Sequence, residues 1–133
     1  MDELIFPVLL AHFAGDYWLQ TKNMALNKSK KGVRGILTCC LHSLVYTACF
    51  CAFLRTPDPW LAVLIFLSHY PLDRWSLAEK WLKLINGRNV MGAFLSRDKY
   101  REIDLSFSCI VYAVTDNSMH LFLIWLIIKF ISF

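Results

Sequence analysis

Apolar and polar residues come in long blocks along this chain, without the period of two that marks a half-buried strand. Four blocks are apolar: residues 4–20, 35–54, 59–75 and 107–131, the last run carrying on to Phe133. A helix needs roughly 20 residues to cross about 30 Å of hydrocarbon. The second and fourth blocks meet that length. The first and third fall a few residues short, and each holds a proline, Pro7 and Pro71. The stretches 21–34 and 76–106 read as connecting loops. At the start of the second one, Trp75, Ala78, Trp81, Leu82 and Ile85 recur at helical spacing, with Glu79, Lys80 and Lys83 between them. That pattern predicts an amphipathic helix lying at a membrane surface, ended by Asn86-Gly87. Residues 88–104 form a charged stretch of the length used for a lid or a binding loop. The expected fold class is all-α: an integral membrane four-helix bundle with an additional interfacial amphipathic helix. All of 1–133 would be a single transmembrane domain.

Composition sharpens this reading. Of 133 residues, 57% are hydrophobic, 15% aromatic and only 18% charged; soluble domains carry about a quarter charged residues. The mean hydropathy is +0.46. Intrinsic disorder is excluded, since it requires low hydrophobicity and high net charge. A soluble globule of this length cannot bury so much apolar surface and still present a polar face. The five cysteines, Cys39, Cys40, Cys49, Cys51 and Cys109, lie in apolar runs and form no C-x-x-C pair. They read as reduced, buried thiols and not as a disulfide framework. Cys39 stands out because it precedes His42 by three residues.

The net charge of +4 matters less than its distribution. Residues 21–34 carry Lys22, Lys28, Lys30, Lys31 and Arg34 with no acid, and 55–59 carry only Arg55 and Asp58. Residues 74–106 hold seven basic residues against four acids. By the positive-inside rule, 21–34 and 76–106 face the cytoplasm, and four spans then leave both termini outside. The expected location is the cytoplasmic (inner) membrane, multi-pass. Nucleic acid is not needed to explain the charge. Asp2 and Glu3 stand where a cleaved signal peptide would be basic, so cleavage is not expected.

All four histidines lie in apolar blocks, joined there by three aspartates. The blocks contain His12-Phe13-Ala14-Gly15-Asp16, His42, His69-Tyr70-Pro71-Leu72-Asp73 and Asp116-Asn117-Ser118-Met119-His120. Three of them thus pair His and Asp at i and i+4, on one helical face roughly 6 Å apart. An ionisable group at the bilayer centre costs about 2.5–3.5 kcal/mol on the translocon scale. Seven of them endanger insertion unless they meet inside the bundle. Counting turns places most of them in one layer, roughly 5–15 Å below the cytoplasmic surface at 1.5 Å per residue, with His120 deepest.

Mixed His/Asp ligation suits zinc, and also manganese or iron. The candidate metal ligands are His12, Asp16, His42, His69, Asp73, Asp116 and His120. Asp16, Asp73 and Asp116 are the candidate catalytic carboxylates. Seven groups could serve one or two ions. A bound metal brings the pKa of its water down toward about 7, so the expected activity is metal-dependent hydrolysis at the cytoplasmic side. Gln20 and Asn117 are polar neighbours that could orient ligands, Gly15 reads as a point of close helix packing, and Lys22 and Arg74 flank the layer.

The stretch Leu10-Ala11-His12-Phe13-Ala14-Gly15-Asp16-Tyr17-Trp18-Leu19-Gln20 resembles the opening signature of a bacterial and phage membrane family, domain-of-unknown-function family 3307. That signature is followed by a basic loop, a His in the second helix, a His-x-x-x-Asp segment and a late Asp-Gln-x-x-His-Leu. His42, residues 69–73 and residues 116–121 match, with Asn117 where the family often has Gln. The family in turn resembles membrane-bound metal-dependent hydrolases, which implies hydrolytic chemistry here.

The expected function is therefore a membrane-embedded hydrolase acting on a lipid, phosphoester or amide. Its partners would be membrane lipid and a lipid or small-molecule substrate, with homo-oligomerisation left open. Two other classes compete: a proton or cation pathway through a His/Asp relay, and a non-enzymatic, phage-encoded membrane interaction protein in which the cluster only holds the bundle together.

Overall fold

The computed structural model describes residues 2–131. Both chain ends and the last two residues of the fourth apolar run lie outside them. Among the described residues the chain is all helix, with no strand. Helix α1 (Asp2–Phe13) runs directly into a π-helical turn (Ala14–Trp18). Then follow α2 (Lys22–Asn27), α3 (Val33–Phe53), α4 (Pro59–Arg74), α5 (Leu77–Asn86), α6 (Val90–Leu95) and α7 (Arg101–Ile131).

Local chemistry sets these boundaries. The Thr21 hydroxyl accepts from Met24 N at 3.2 Å and starts α2. Asp58 Oδ1 accepts from Trp60 N at 2.9 Å and caps α4, with Pro59 in the first turn. Gly87, at φ +70°, closes α5 in the left-handed conformation. Gly35 lets the first turn of α3 lie against the Lys30 carbonyl, where a Cβ would collide with the oxygen.

Helix α3 packs between α1 and α4, and α4 packs on α7. The loop expected at 21–34 contains α2, which packs on α3. The long polar loop expected at 88–104 is also helical in part. Asn89 Oδ1 accepts from Gly92 N at 3.1 Å and opens α6. The Arg101 guanidinium donates to Phe94 O at 2.9 Å and ties α6 to α7. Asp98 Oδ1 accepts from Tyr100 N at 2.8 Å as α7 begins. Glu102 and Asp104 fall in its first turn, where the helix dipole favours acids. Hydropathy places the start of this helix near 107 because charge conceals its first two turns.

Two helices, α3 and α7, are long and apolar enough to cross a membrane, judged by length and composition. Against the four spans expected, these two helices are the candidates among the described residues. Helix α4 has 16 residues, and α1 has 12 before the five of the π turn. Outward faces are apolar: Leu37, Leu41 and Leu44 on α3, Trp60 and Leu67 on α4, and Phe107, Ile110, Val114 and Phe122 on α7 are all exposed. The amphipathic helix expected near 75–85 is present as α5. Ala78 and Leu82 are buried, while Trp81, Leu84 and Ile85 remain exposed.

The bundle interior divides into two halves. Ala11, Phe50, Leu61, Ile65, Ile124 and Ile128 form an apolar core with Tyr46 at its edge. The His and Asp side chains occupy the other half. Helix directions alternate so that the N-terminal half of α3 and the middle of α7 meet the C-terminal parts of α1 and α4 there.

Candidate metal centre

The π turn places Asp16. Its wider i to i+5 pattern, seen in Leu19 N donating to Ala14 O at 2.9 Å, recurs at functional sites in other proteins. Gly15 makes the approach to α3 feasible, since a Cβ there would stand 2.7 Å from Tyr46 Cδ2 and 3.0 Å from its Cα. On α4, Pro71 sits between His69 and Asp73 in the last turn. His42 projects from α3, and Asp116 and His120 from α7.

Four atoms converge. His42 Nε2 lies 3.2 Å from Asp16 Oδ1 and 3.0 Å from Asp73 Oδ2. His69 Nε2 lies 3.6 Å from Asp16 Oδ1 and 3.0 Å from Asp73 Oδ2. The two Nε2 atoms are 3.1 Å apart. Gln20 Nε2 adds a donor 2.9 Å from His42 Nε2, and Lys28 Nζ stands 2.8 Å from Asp73 Oδ2 and 3.5 Å from His42 Nε2. An imidazole nitrogen offers one proton or one lone pair, so hydrogen bonding cannot satisfy His42 Nε2 toward all these neighbours. Asp16 Oδ1 likewise lacks a hydrogen-bond partner among the described residues, while Asp73 Oδ2 is paired with the Lys28 ammonium. Atoms that ligate one zinc ion at about 2.0–2.1 Å stand roughly 3.3 Å apart in a tetrahedron. The observed separations bracket that value, and the N/O donor set fits a divalent cation.

Two groups have the spacing to hold an ion: Asp16, His42 and His69, and His69, Asp73 and His120. The histidines are sealed from solvent, with His12 and His42 at 0%, His69 at 1% and His120 at 2% exposure. Their rings are stacked in order, Tyr46 on His69 at 3.8 Å and His69 on His120 at 4.3 Å.

His12 lies outside both groups. Its Nε2 donates to Asn117 Oδ1 at 2.6 Å, which leaves Nδ1 to accept the Tyr46 hydroxyl at 3.0 Å. Asp16 Oδ2 is 3.3 Å from that Nδ1. With both nitrogens spent in this way His12 has no proton to give Asp16; it ties α1 to α3 and α7 just before the turn that carries Asp16. Asp116 also lies outside the groups, with Oδ2 3.9 Å from His120 Nε2. It lines a cavity of about 250 Å³ with Asp16, Tyr17, Gln20, Lys28, Tyr112 and Asn117. The Cys39 thiol turns away to Tyr70 O at 3.7 Å. Arg74 donates to Ser29 O at 3.1 Å.

Sequence reading missed two participants. Tyr46 follows His42 by four residues and so shares its face, a signal available in the chain. Lys28 is one of five basic residues in a stretch read as a topology signal; only the packing of α2 on α3 brings it to Asp73. No curated protein and no solved structure matches the chain. Residues 4–133 match the family described as Protein of unknown function (DUF3307), and the chain belongs to that family.

Proposed function

We propose that this protein is a membrane-embedded, metal-dependent hydrolase whose substrate enters from the cytoplasmic side. The family description names no activity, so the reading rests on the site. One observation carries it: two buried imidazole nitrogens and two carboxylate oxygens face one point at 3.0–3.6 Å, beside a cavity. Zinc is the favoured ion, with manganese and iron accepted by the same donors. The apolar outward faces of α3, α4 and α7 favour a four-helix integral membrane bundle in the inner membrane with both termini outside. Helix α5 would then lie at the interface.

Asp16, His42, His69 and Asp73 would hold the divalent cation, which would supply Lewis acidity and activate water near neutral pH. The remaining residues divide the other work. His12, Tyr46 and Asn117 link α1 to α3 and α7 and so hold the turn that carries Asp16. Asp116, at 22% exposure against 11% for Asp16, is the more open of the two carboxylates lining the cavity, and it would take the proton that the attacking water releases and return it to the leaving oxygen. Lys28 and Gln20 stand on the cavity wall, where their N–H groups can donate to a substrate oxygen. One residue along from Asp73 and Lys28, Arg74 and Ser29 border a groove of about 580 Å³ that also holds Lys31, Lys80 and Lys83, with Glu79 the one acid. That charge favours a phosphoester, such as a lipid headgroup, over an amide.

Conduction along a His/Asp relay needs a polar route through the bundle. The apolar half around Phe50, Leu61, Ile65 and Ile124 offers no continuation. Elemental analysis of the detergent-purified protein tests the hydrolase reading. Bound zinc, manganese or iron is expected in the wild type, and its loss in His42→Ala and His69→Ala with helicity retained. A well-folded wild type that binds no divalent cation, even after loading, overturns it.

A further inference from the structure

We infer that the pocket holds two divalent cations bridged by the Asp73 carboxylate, the second taken by His120 and Asp116. This rests on the reading of the site as a metal centre. The two oxygens of Asp73 face different partners. Oδ2 lies 3.0 Å from both His42 Nε2 and His69 Nε2, whereas Oδ1 is directed to His120 Nε2 at 3.7 Å. On its other side His120 Nε2 meets Asp116 Oδ2 at 3.9 Å. Both separations exceed hydrogen-bond length, and among the described residues this nitrogen has no hydrogen-bond partner although the residue is 2% exposed. A buried nitrogen placed between two carboxylate oxygens, close to neither, has the spacing of ligands sharing an ion. Equatorial ligands of a five-coordinate centre with bonds of about 2.1 Å stand roughly 3.7 Å apart.

His69 is held between Tyr46 at 3.8 Å and His120 at 4.3 Å, with rings 29° from parallel in the latter pair, and Asp73 stands within ligand spacing of both histidines. A carboxylate bridge between ions about 3.5–4 Å apart is the arrangement of two-metal hydrolytic sites. The cavity reaches both ions, because Asp16 and Asp116 line it. Monodentate ligation through Oδ2 leaves Asp116 Oδ1 free to accept a proton. Two divalent cations and the Lys28 ammonium outweigh three carboxylates, so the loaded pocket is positive and suits an anionic phosphoester.

The test is metal stoichiometry and Mn2+ electron paramagnetic resonance on the full-length protein in detergent. Two Mn2+ per chain with an exchange-coupled spectrum are expected. His120→Ala should retain one ion and show an uncoupled six-line spectrum. Asp116→Asn, nearly isosteric, should weaken the second ion alone and guards against a folding defect in the first variant. One ion per chain, unchanged in His120→Ala and lost in His42→Ala, overturns the second site and leaves the metal centre standing. Two ions retained in both α7 variants, or both ions lost together from helical protein, also overturn the division. No ion at all overturns both readings.

Discussion

At the level of single residues, polar groups in this pocket separate by what they touch. His42 and His69 point ring nitrogens at a shared locus with Asp16 and Asp73, whereas His12 spends both nitrogens on Asn117 and Tyr46. Groups that orient a ligand typically contribute 10–100-fold to metal affinity. His12→Ala and Asn117→Ala are therefore expected to weaken metal binding by about 10–100-fold and still fill the site at high metal concentration, as read by chelator competition. His42→Ala should abolish binding at the same concentrations. The seven His and Asp positions were legible in the sequence, because i,i+4 spacing and the cost of immersion in lipid both mark them. Their division into groups that face the shared point and groups that stand behind it was not. It depends on Tyr46 and Asn117, which are contributed by other helices, and on Lys28, whose charge had a sufficient explanation in topology.

Among the elements, the four long helices and α5 follow from hydropathy and period. Helices α2 and α6 do not, since each has six residues, too few to show a period, and their caps are visible only once the fold brings Thr21 and Asn89 into place. The π turn was equally hidden, as Gly15-Asp16 reads as ordinary helix. Gly15 tests its packing. The added methyl of Gly15→Ala would meet Tyr46 Cδ2 at 2.7 Å, and overpacking of this kind costs about 1–3 kcal/mol. The variant should lower the Tm in detergent and loosen the metal site together, because Tyr46 also holds His12. A normal Tm with unchanged metal affinity would show that the π turn has room to spare.

For the molecule as a whole, two predictions follow from the placement of apolar surface and of the buried cluster. Trp60 and Trp125 are exposed, at 74% and 45%, on outward faces of α4 and α7. In vesicles carrying brominated acyl chains their fluorescence should be quenched, and Trp60→Phe with Trp125→Phe should remove most of that quenching. Unquenched emission would place these faces outside the hydrocarbon. A ligand that binds only the native state raises its stability, so chelation should lower the wild-type Tm and leave that of a His42→Ala, His69→Ala double variant unmoved. The division into a dry half and a polar half has a kinetic corollary. The apolar core of Phe50, Leu61, Ile65 and Ile124 lines no part of the cavity at the cluster, which is bordered by Asp116 and Lys28. For the hydrolase proposed above, product and fresh substrate would share that one approach, and turnover should slow as product accumulates.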